Sequence, residues 1–261
     1  MLFTNLIQTN LLTDSIGRTI EYYPSIDSTN AKAWSLISSN VRNGTLIITD
    51  HQSAGRGRGK HFWVSSPERS LTFSISLYPE IEARLAGIFP LLAGVTICDT
   101  LSKMDIHALL KWPNDILLNG KKIGGILCES KISGAQIKAV VCGIGLNVNE
   151  TKSDFPKDLL DTGSSLRLET DRYYQRELIL AGILNDFDRN LRQLNKNGPQ
   201  PIINSWIGYC AHLNNTVQFH DGNRIISGKF IGLSKSGEAV LLINGTEKHF
   251  KSGTVTTSLD R

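Results

Sequence analysis

The 261-residue chain has no apolar run long enough to cross a bilayer, so no membrane partner is expected. Its first residues, MLFTNLIQTNLL, are interrupted by Thr, Asn and Gln and carry no basic leader, which argues against a secretory signal peptide. Cysteine is scarce: Cys98, Cys128, Cys142 and Cys210 lack metal-site spacing and sit among apolar or small neighbours. Buried free thiols in a reducing, cytoplasmic setting are predicted. The six histidines are equally scattered, which excludes a Cys/His zinc ladder. The G-x-S-x-G elbow of α/β hydrolases is missing, and so are a phosphate-loop Lys-Ser/Thr pair and the spacing of a dinucleotide fingerprint. No internal repeat or low-complexity tract is present.

What is there is ordinary in bulk. Apolar residues make up 40% and charged residues 20% of the chain, enough for a sizeable core in one large domain or a core domain with a satellite. The formal charge of +4 biases encounters toward acidic partners without marking a nucleic-acid binder.

The pattern along the chain alternates strand-like and helix-like segments. Glu21–Ser25 reads as extended, DSTN (Asp27–Asn30) as a turn and helix cap, and Ala31–Ile37 as helix. TLIIT (Thr45–Thr49) and SLTFSISLY (Ser70–Tyr78) read as strands, with a glycine-rich loop between them. Ala83–Thr100 has the length of a buried helix that Pro90 starts or kinks. Ala108–Leu118 bends at Pro113, NGKK (Asn119–Lys122) signals a hairpin, and Ala139–Asn149 reads as another strand. Asp171–Leu194 predicts a long outer helix packed through Leu178, Ile183, Leu184 and Phe187, broken over Asn195–Pro201. Beyond Trp206, short strands separated by Gly and Asn turns predict a small β-barrel of roughly fifty residues.

Four stretches carry chemistry. DHQSAGRGRGKHFW (Asp50–Trp63) places Arg56 and Arg58 among glycines, where the two guanidiniums can converge on an oxyanion or remain a solvated basic turn. KWPND (Lys111–Asp115) combines a cation, an aromatic, a bend, an amide and a carboxylate. There Lys111 suits a phosphate, Asn114 a nucleotide or a metal-bound water, and Trp112 serves equally well as core. Lys122 ends the NGKK turn beside Gly124 and Gly125, so its ammonium can meet a ligand while its stem lies along the protein. GIGLNVN (Gly143–Asn149) joins the close-approach glycines Gly143 and Gly145 to the amide of Asn147; a strand-edge bulge is the alternative.

Taken in order, DSTN, HQSAGRGR, W-x-S-x-P (Trp63–Pro67), KWPNDI, KIGGIL and GIGLNVN resemble the motifs of biotin protein ligases, also called biotin–acetyl-CoA-carboxylase ligases, across nearly the full chain. The resemblance implies an α/β (α+β) fold: the mixed-sheet catalytic domain of biotinyl and lipoyl transferases over residues 1–208, then an SH3-like β-barrel over 209–261. It implies an ATP-dependent reaction in which biotin is activated as biotinyl-5′-AMP with release of pyrophosphate and passed to a lysine of a biotin carboxyl-carrier protein. ATP and Mg²⁺ are the implied cofactors, with Mg²⁺ held mainly through the ATP phosphates. Biotin contacts are implied for Ser28, Thr29, Asn30, Gln52, Gly55, Arg56, Gly57, Arg58, Lys122, Gly124, Gly125, Gly143 and Gly145. Nucleotide contacts are implied for Arg58, Lys111, Asn114 and Asn147, and catalytic roles for Arg58 and Lys122.

The chain departs from the family loop pattern after Arg58, at Lys60, His61 and Phe62. The residues before DSTN are too few for the helix-turn-helix of bifunctional relatives, so no specific DNA partner is expected. Monomer and homodimer both stay open, and a lipoate or octanoate ligase is the nearest alternative enzyme.

Overall fold

In the computed structural model, which describes residues 1–59, 61–222 and 224–256, the polypeptide builds two β-sheets with helices packed between and around them. A short helix α1 (Thr4–Thr9) precedes strand β1 (Ile20–Tyr23), helix α2 (Thr29–Ser38), and strands β2 (Thr45–Thr49) and β3 (Leu71–Leu77). Helix α3 (Ile88–Ser102) follows, then β4 (Leu109–Lys111), β5 (Asp115–Leu118), β6 (Lys121–Ser133) and β7 (Gln136–Leu146). These strands lie in the order β1-β2-β3-β7-β6-β5-β4. Only β1 and β2 pair in parallel, because α2 carries the chain back between them; the remaining neighbours are antiparallel. The predicted hairpin joins β5 to β6, where Asn119 and Gly120 both take positive φ, the requirement of a tight two-residue turn.

The sheet has a helix-covered face on each side. On one, Ala33 of α2 packs with Ile47 and Val141, and Trp34 and Ile37 lie against them. On the other, α3 is buried on nearly every side, as its sequence IFPLLAGVTIC demands. It does not begin at Ala83: Ala83–Leu85 forms a separate 3₁₀ turn, and Pro90 falls in the first turn of α3, where its missing N–H costs no helical hydrogen bond.

Helix α4 (Leu166–Thr170) and the long α5 (Arg176–Asn197) follow, then α6 (Gln200–Gly208). The long helix starts later than its sequence suggests, because Asp171 adopts φ 54° and closes α4 instead. Ile183, Leu184 and Phe187 are buried as expected, but Leu178 is 46% exposed. The 3.6-residue period puts it on the opposite side of α5 from that apolar stripe.

The remaining strands are β8 (Thr216–Asp221), β9 (Arg224–Leu233), β10 (Ala239–Ile243), β11 (Thr246–Phe250) and β12 (Thr254–Thr256). Their order, β11-β10-β9-β8-β12, corrects the expected SH3-like barrel to an open antiparallel sheet. The short edge strands β11 and β12 sit at opposite ends with no ladder joining them among the described residues. This sheet is covered by the rest of the molecule rather than by itself. Phe219, Phe230, Leu241 and Val255 belong to the same apolar core as Trp206, Trp112 and α3. Backbone bonds from Leu110 N–H to Tyr209 O (2.8 Å) and from Ala211 N–H to Leu110 O (3.0 Å) tie the two parts together.

All four cysteines are free, but only Cys98 and Cys142 are buried; Cys128 and Cys210 are partly exposed. Cys128 Sγ lies 3.0 Å from Cys142 Sγ across β6 and β7. Among the described residues, no helix is long and apolar enough to cross a membrane.

Candidate active site

The glycine-rich segment leaves β2 and folds back on itself. Gly57 N–H donates to His61 O at 2.8 Å and Trp63 N–H to Gly55 O at 3.0 Å, so Arg56 and Phe62 face each other across a narrow antiparallel bridge. Gly59 supplies the positive φ (66°) at its tip. Lys60 lies outside the described residues, so of the three loop positions that depart from the family pattern, His61 and Phe62 can be placed. Arg56 and Arg58, two residues apart, both line a cavity of about 670 Å³.

One wall of that cavity is the start of α2. Ser28 caps the helix, accepting from Ala31 N–H at 3.4 Å, and Thr29 and Asn30 follow it into the lining. Gln52 stands opposite, its backbone N–H donating to Ser65 Oγ at 3.0 Å, which gives the serine of the W-x-S-x-P motif a structural task. Its side-chain Oε1 accepts from Thr29 N–H at 2.7 Å and from Thr29 Oγ1 at 3.1 Å. Gly143 and Gly145 of β7 form the floor. A Cβ on Gly143 would fall 2.1 Å from Asn30 Oδ1, and one on Gly145 would fall 2.3 Å from the Trp63 ring, so neither position has room for a side chain.

Gly57, Asn114, Lys122 and Gly125 complete the set from the seven-stranded sheet and its loops. Gly55 and Gly124 are not in the lining; they pack behind it, against Trp63 O and Gly145 O respectively. Lys111 and Asn147 open instead onto a second cavity of about 300 Å³. The two cavities share His61, Phe62, Trp63, Asp115 and Lys122, so the sequence-predicted residues form two adjoining groups with Lys122 between them.

Charge is concentrated at that junction. Lys122 Nζ lies 2.5 Å from Asp115 Oδ1, and Lys111 Nζ lies 3.9 Å from Asp115 Oδ2. Arg58 donates to Gly253 O at 2.5 Å, with its guanidinium 5.9 Å from the centre of the Trp112 ring. Burial lowers the Arg58 pKa from its ordinary value, and nearby Asp115 opposes that shift. Arg56 pairs with Glu129 at 3.2 Å. The first cavity is thus lined by Arg56, Arg58 and Lys122 against one carboxylate, Asp115, a surplus of two positive charges, whereas Lys111 and Lys122 share the second with Asp115, Glu150, Asp154 and Asp161. Asn114 Nδ2 donates to Ile126 O at 3.1 Å and Asn147 Nδ2 to Ser164 O at 2.8 Å, so both amides are held by the backbone of neighbouring segments.

Sequence reasoning missed three contributors. Trp63 was visible in its motif, but its packing on Gly145 was not. Glu129 sits on a strand with no local mark of function. The rim from the C-terminal sheet, His220, Gly222 and Ser252–Thr254, carries no motif at all. Trp112 resolves toward core: it is buried, packs on Phe219 at 5.6 Å between ring centres, and donates from Nε1 to Gly237 O at 3.3 Å.

A cavity with glycine walls and surplus positive charge suits an anionic ligand held close to the backbone. Residues 22–147 match the biotin/lipoate A/B protein ligase family. The bifunctional ligase/repressor BirA of Bacillus subtilis is 32% identical over 239 residues, covering 91% of this chain and 74% of that protein. The biotin–[acetyl-CoA-carboxylase] ligase of Paracoccus denitrificans is 32% identical over 222 residues, 82% of this chain and 90% of that protein. A solved structure of the Aquifex aeolicus biotin protein ligase, in complex with biotin and ATP, superposes with a TM-score of 0.79 at 29% identity, covering 92% of this chain and 98% of that one. The chain belongs to the biotin protein ligases of the biotin/lipoate A/B protein ligase family.

Proposed function

We propose that this protein activates biotin with ATP as biotinyl-5′-AMP and then transfers the biotinyl group to a lysine of a biotin carboxyl-carrier protein. The observation that carries the reading is the meeting of Arg58 and Lys122, from distant parts of the chain, on one cavity with a glycine floor. With it goes a division of labour in which residues 1–208 hold the reacting groups and residues 209–261 supply the rim.

In the first step a carboxylate oxygen of biotin attacks the α-phosphorus of ATP, and the bond to the β-phosphate oxygen breaks. Two anions must approach each other, and Arg58 and Lys122 offset that repulsion in a site partly withdrawn from water. Ser28, Thr29, Asn30, Gln52 and Arg56 hold the acid, the glycines admit its rings, and Lys111, Asn114 and Asn147 serve the nucleotide across the Lys122 junction. In the second step a neutral lysine amine attacks the acyl carbonyl and AMP departs. Among the described residues, no group of three His, Cys, Asp or Glu side chains able to hold an ion is present. Mg²⁺ would arrive with the ATP phosphates, whose oxygens suit this ion.

The test is to incubate the protein with labelled biotin, ATP, Mg²⁺ and a carrier domain. Formation of biotinyl-AMP and ATP-dependent lysine labelling is expected; absence of both, in a folded preparation, rejects the reading. Lipoate replacing biotin as the better substrate would overturn the substrate class. Arg58→Gln and Lys122→Gln should each slow adenylate formation by about 10²–10³-fold, the scale of a lost transition-state donor. Wild-type rates in both would remove them from the chemistry.

A further inference from the structure

Glu129 stands on β6 outside the lining of either cavity, yet three side chains from two segments converge on its Oε2. Asn30 Nδ2 donates to it at 2.9 Å, Trp34 Nε1 at 3.2 Å and Arg56 Nη2 at 3.2 Å. Two of these donors come from α2 and the third from the glycine loop. A carboxylate only accepts hydrogen bonds, so it dictates which end of a neighbouring amide turns toward it.

The consequence travels along a chain of bonds. Asn30 gives Nδ2 to Glu129 and to Leu127 O (3.1 Å), which leaves its Oδ1 to face Ser74 Oγ at 2.6 Å. An amide oxygen has no proton, so Ser74 donates its single proton there. With the Ser74 proton committed to Asn30, the Thr29 hydroxyl is the donor, toward either Ser74 Oγ at 2.8 Å or Gln52 Oε1 at 3.1 Å. Gln52 Oε1 also accepts from Thr29 N–H at 2.7 Å, which turns the Gln52 amide so that its Nε2 is the donor end on the other side. Glu129 is the charged terminus of this relay, and it also holds the Arg56 guanidinium.

We infer that Glu129 is a positioning residue of the biotin subsite: it orients Arg56 directly and, through Asn30 and Ser74, sets which way the Thr29 hydroxyl points, beside a Gln52 amide that the Thr29 backbone N–H holds by itself. The inference rests on the ligase reading and deepens it. Neither cation of the junction, Arg58 or Lys122, belongs to the relay, so Glu129 bears on acid binding and not on phosphoryl chemistry.

The experiment is steady-state kinetics of biotinyl-AMP formation by Glu129→Gln, with its Tm, alone and combined with Arg56→Gln. Glutamine keeps the size and an acceptor but loses the charge and lets the amide turn either way. The biotin KM should rise about tenfold while the ATP KM holds and kcat at saturating biotin falls less than about threefold, the pattern of lost ground-state binding. In the Arg56→Gln background the same change should raise KM by clearly less than it does alone, because the two side chains share one interaction. An unchanged or lowered biotin KM in Glu129→Gln, a loss confined to kcat, or full multiplicativity in the double variant would overturn the inference. Wild-type protein that makes no biotinyl-AMP would overturn the ligase reading and this one with it, whereas an active wild type with an indifferent Glu129→Gln sinks this one alone.

Discussion

A methyl group added at Gly143 or at Gly125 meets two different environments on neighbouring strands. At Gly143 the new carbon would lie 2.1 Å from Asn30 Oδ1, an oxygen already held by Ser74, so α2 or the strand must shift. At Gly125 the nearest atom is Lys122 Cε at 3.6 Å, ordinary contact distance. Gly143→Ala should lose about 1–3 kcal/mol of stability, as overpacking does, while Gly125→Ala stays within about 0.5 kcal/mol and raises the biotin KM by filling the cavity. Thermal denaturation of both variants checks the contrast, and equal Tm losses would refute it. Glu150 makes a pH-dependent prediction. Burial raises its carboxyl above the usual range, the Ser70 hydroxyl opposing, and its buried Oε2 has no hydrogen-bond partner among the described residues. A folded pKa above the unfolded value means the contribution to stability is full below the unfolded pKa and is lost as pH rises through the folded one. Glu150→Gln cannot ionise, so its Tm should gain on the wild type as pH climbs from about 4 toward 7, past the unfolded carboxylate range. Parallel Tm–pH curves would show that Glu150 is not perturbed by its burial.

Among the elements, the short segment between β4 and β5 has consequences beyond its length. Trp112 sits at the seam of the two sheets, on Phe219 and under Arg58, with its indole N–H bound to Gly237 O. Trp112→Ala should cost about 3–5 kcal/mol, the usual toll of truncating a buried aromatic, and should also release Arg58 from one of its faces. Denaturant unfolding measures the first effect, and a midpoint like that of the wild type would contradict the seam. At this scale much was readable from residues alone. DSTN announced the α2 cap, NGKK the β5–β6 turn, and the alternating and continuous apolar runs the strands β2, β3 and β7. The start of α5 was misplaced, because the left-handed turn at Asp171 is a local choice that the long helical pattern hides. The open C-terminal sheet was also misjudged: the same short strands and turns serve a closed barrel or an open sheet, and nothing local decides whether the last strand meets its edge partner.

For the whole molecule, one apolar core runs from α1 through α3 and α5 into the C-terminal sheet. The two sheets should therefore unfold together. Calorimetry of the full chain should show one transition, and a chain ending at Tyr209, which leaves Trp206 and Trp112 without their Phe230 and Phe219 neighbours, should not fold cooperatively. Two resolved transitions, or a truncated chain with a native Tm, would show the sheets to be independent. Because Ser252–Thr254 and His220 line the cavity beside Arg58, loss of that sheet should abolish adenylate formation as well.

The residues by themselves determined the family, the order of the motifs and the kind of chemistry, because glycines beside arginines and a lysine after a tight turn restrict what a local backbone can hold close. Tertiary structure alone decided that Lys122 stands between two cavities, that Glu129 gathers Asn30, Trp34 and Arg56, and that an open C-terminal sheet closes the rim. Those relations join residues far apart in the chain, and their distances are set by which sheet edges pair and which faces share a core, quantities that no local pattern contains.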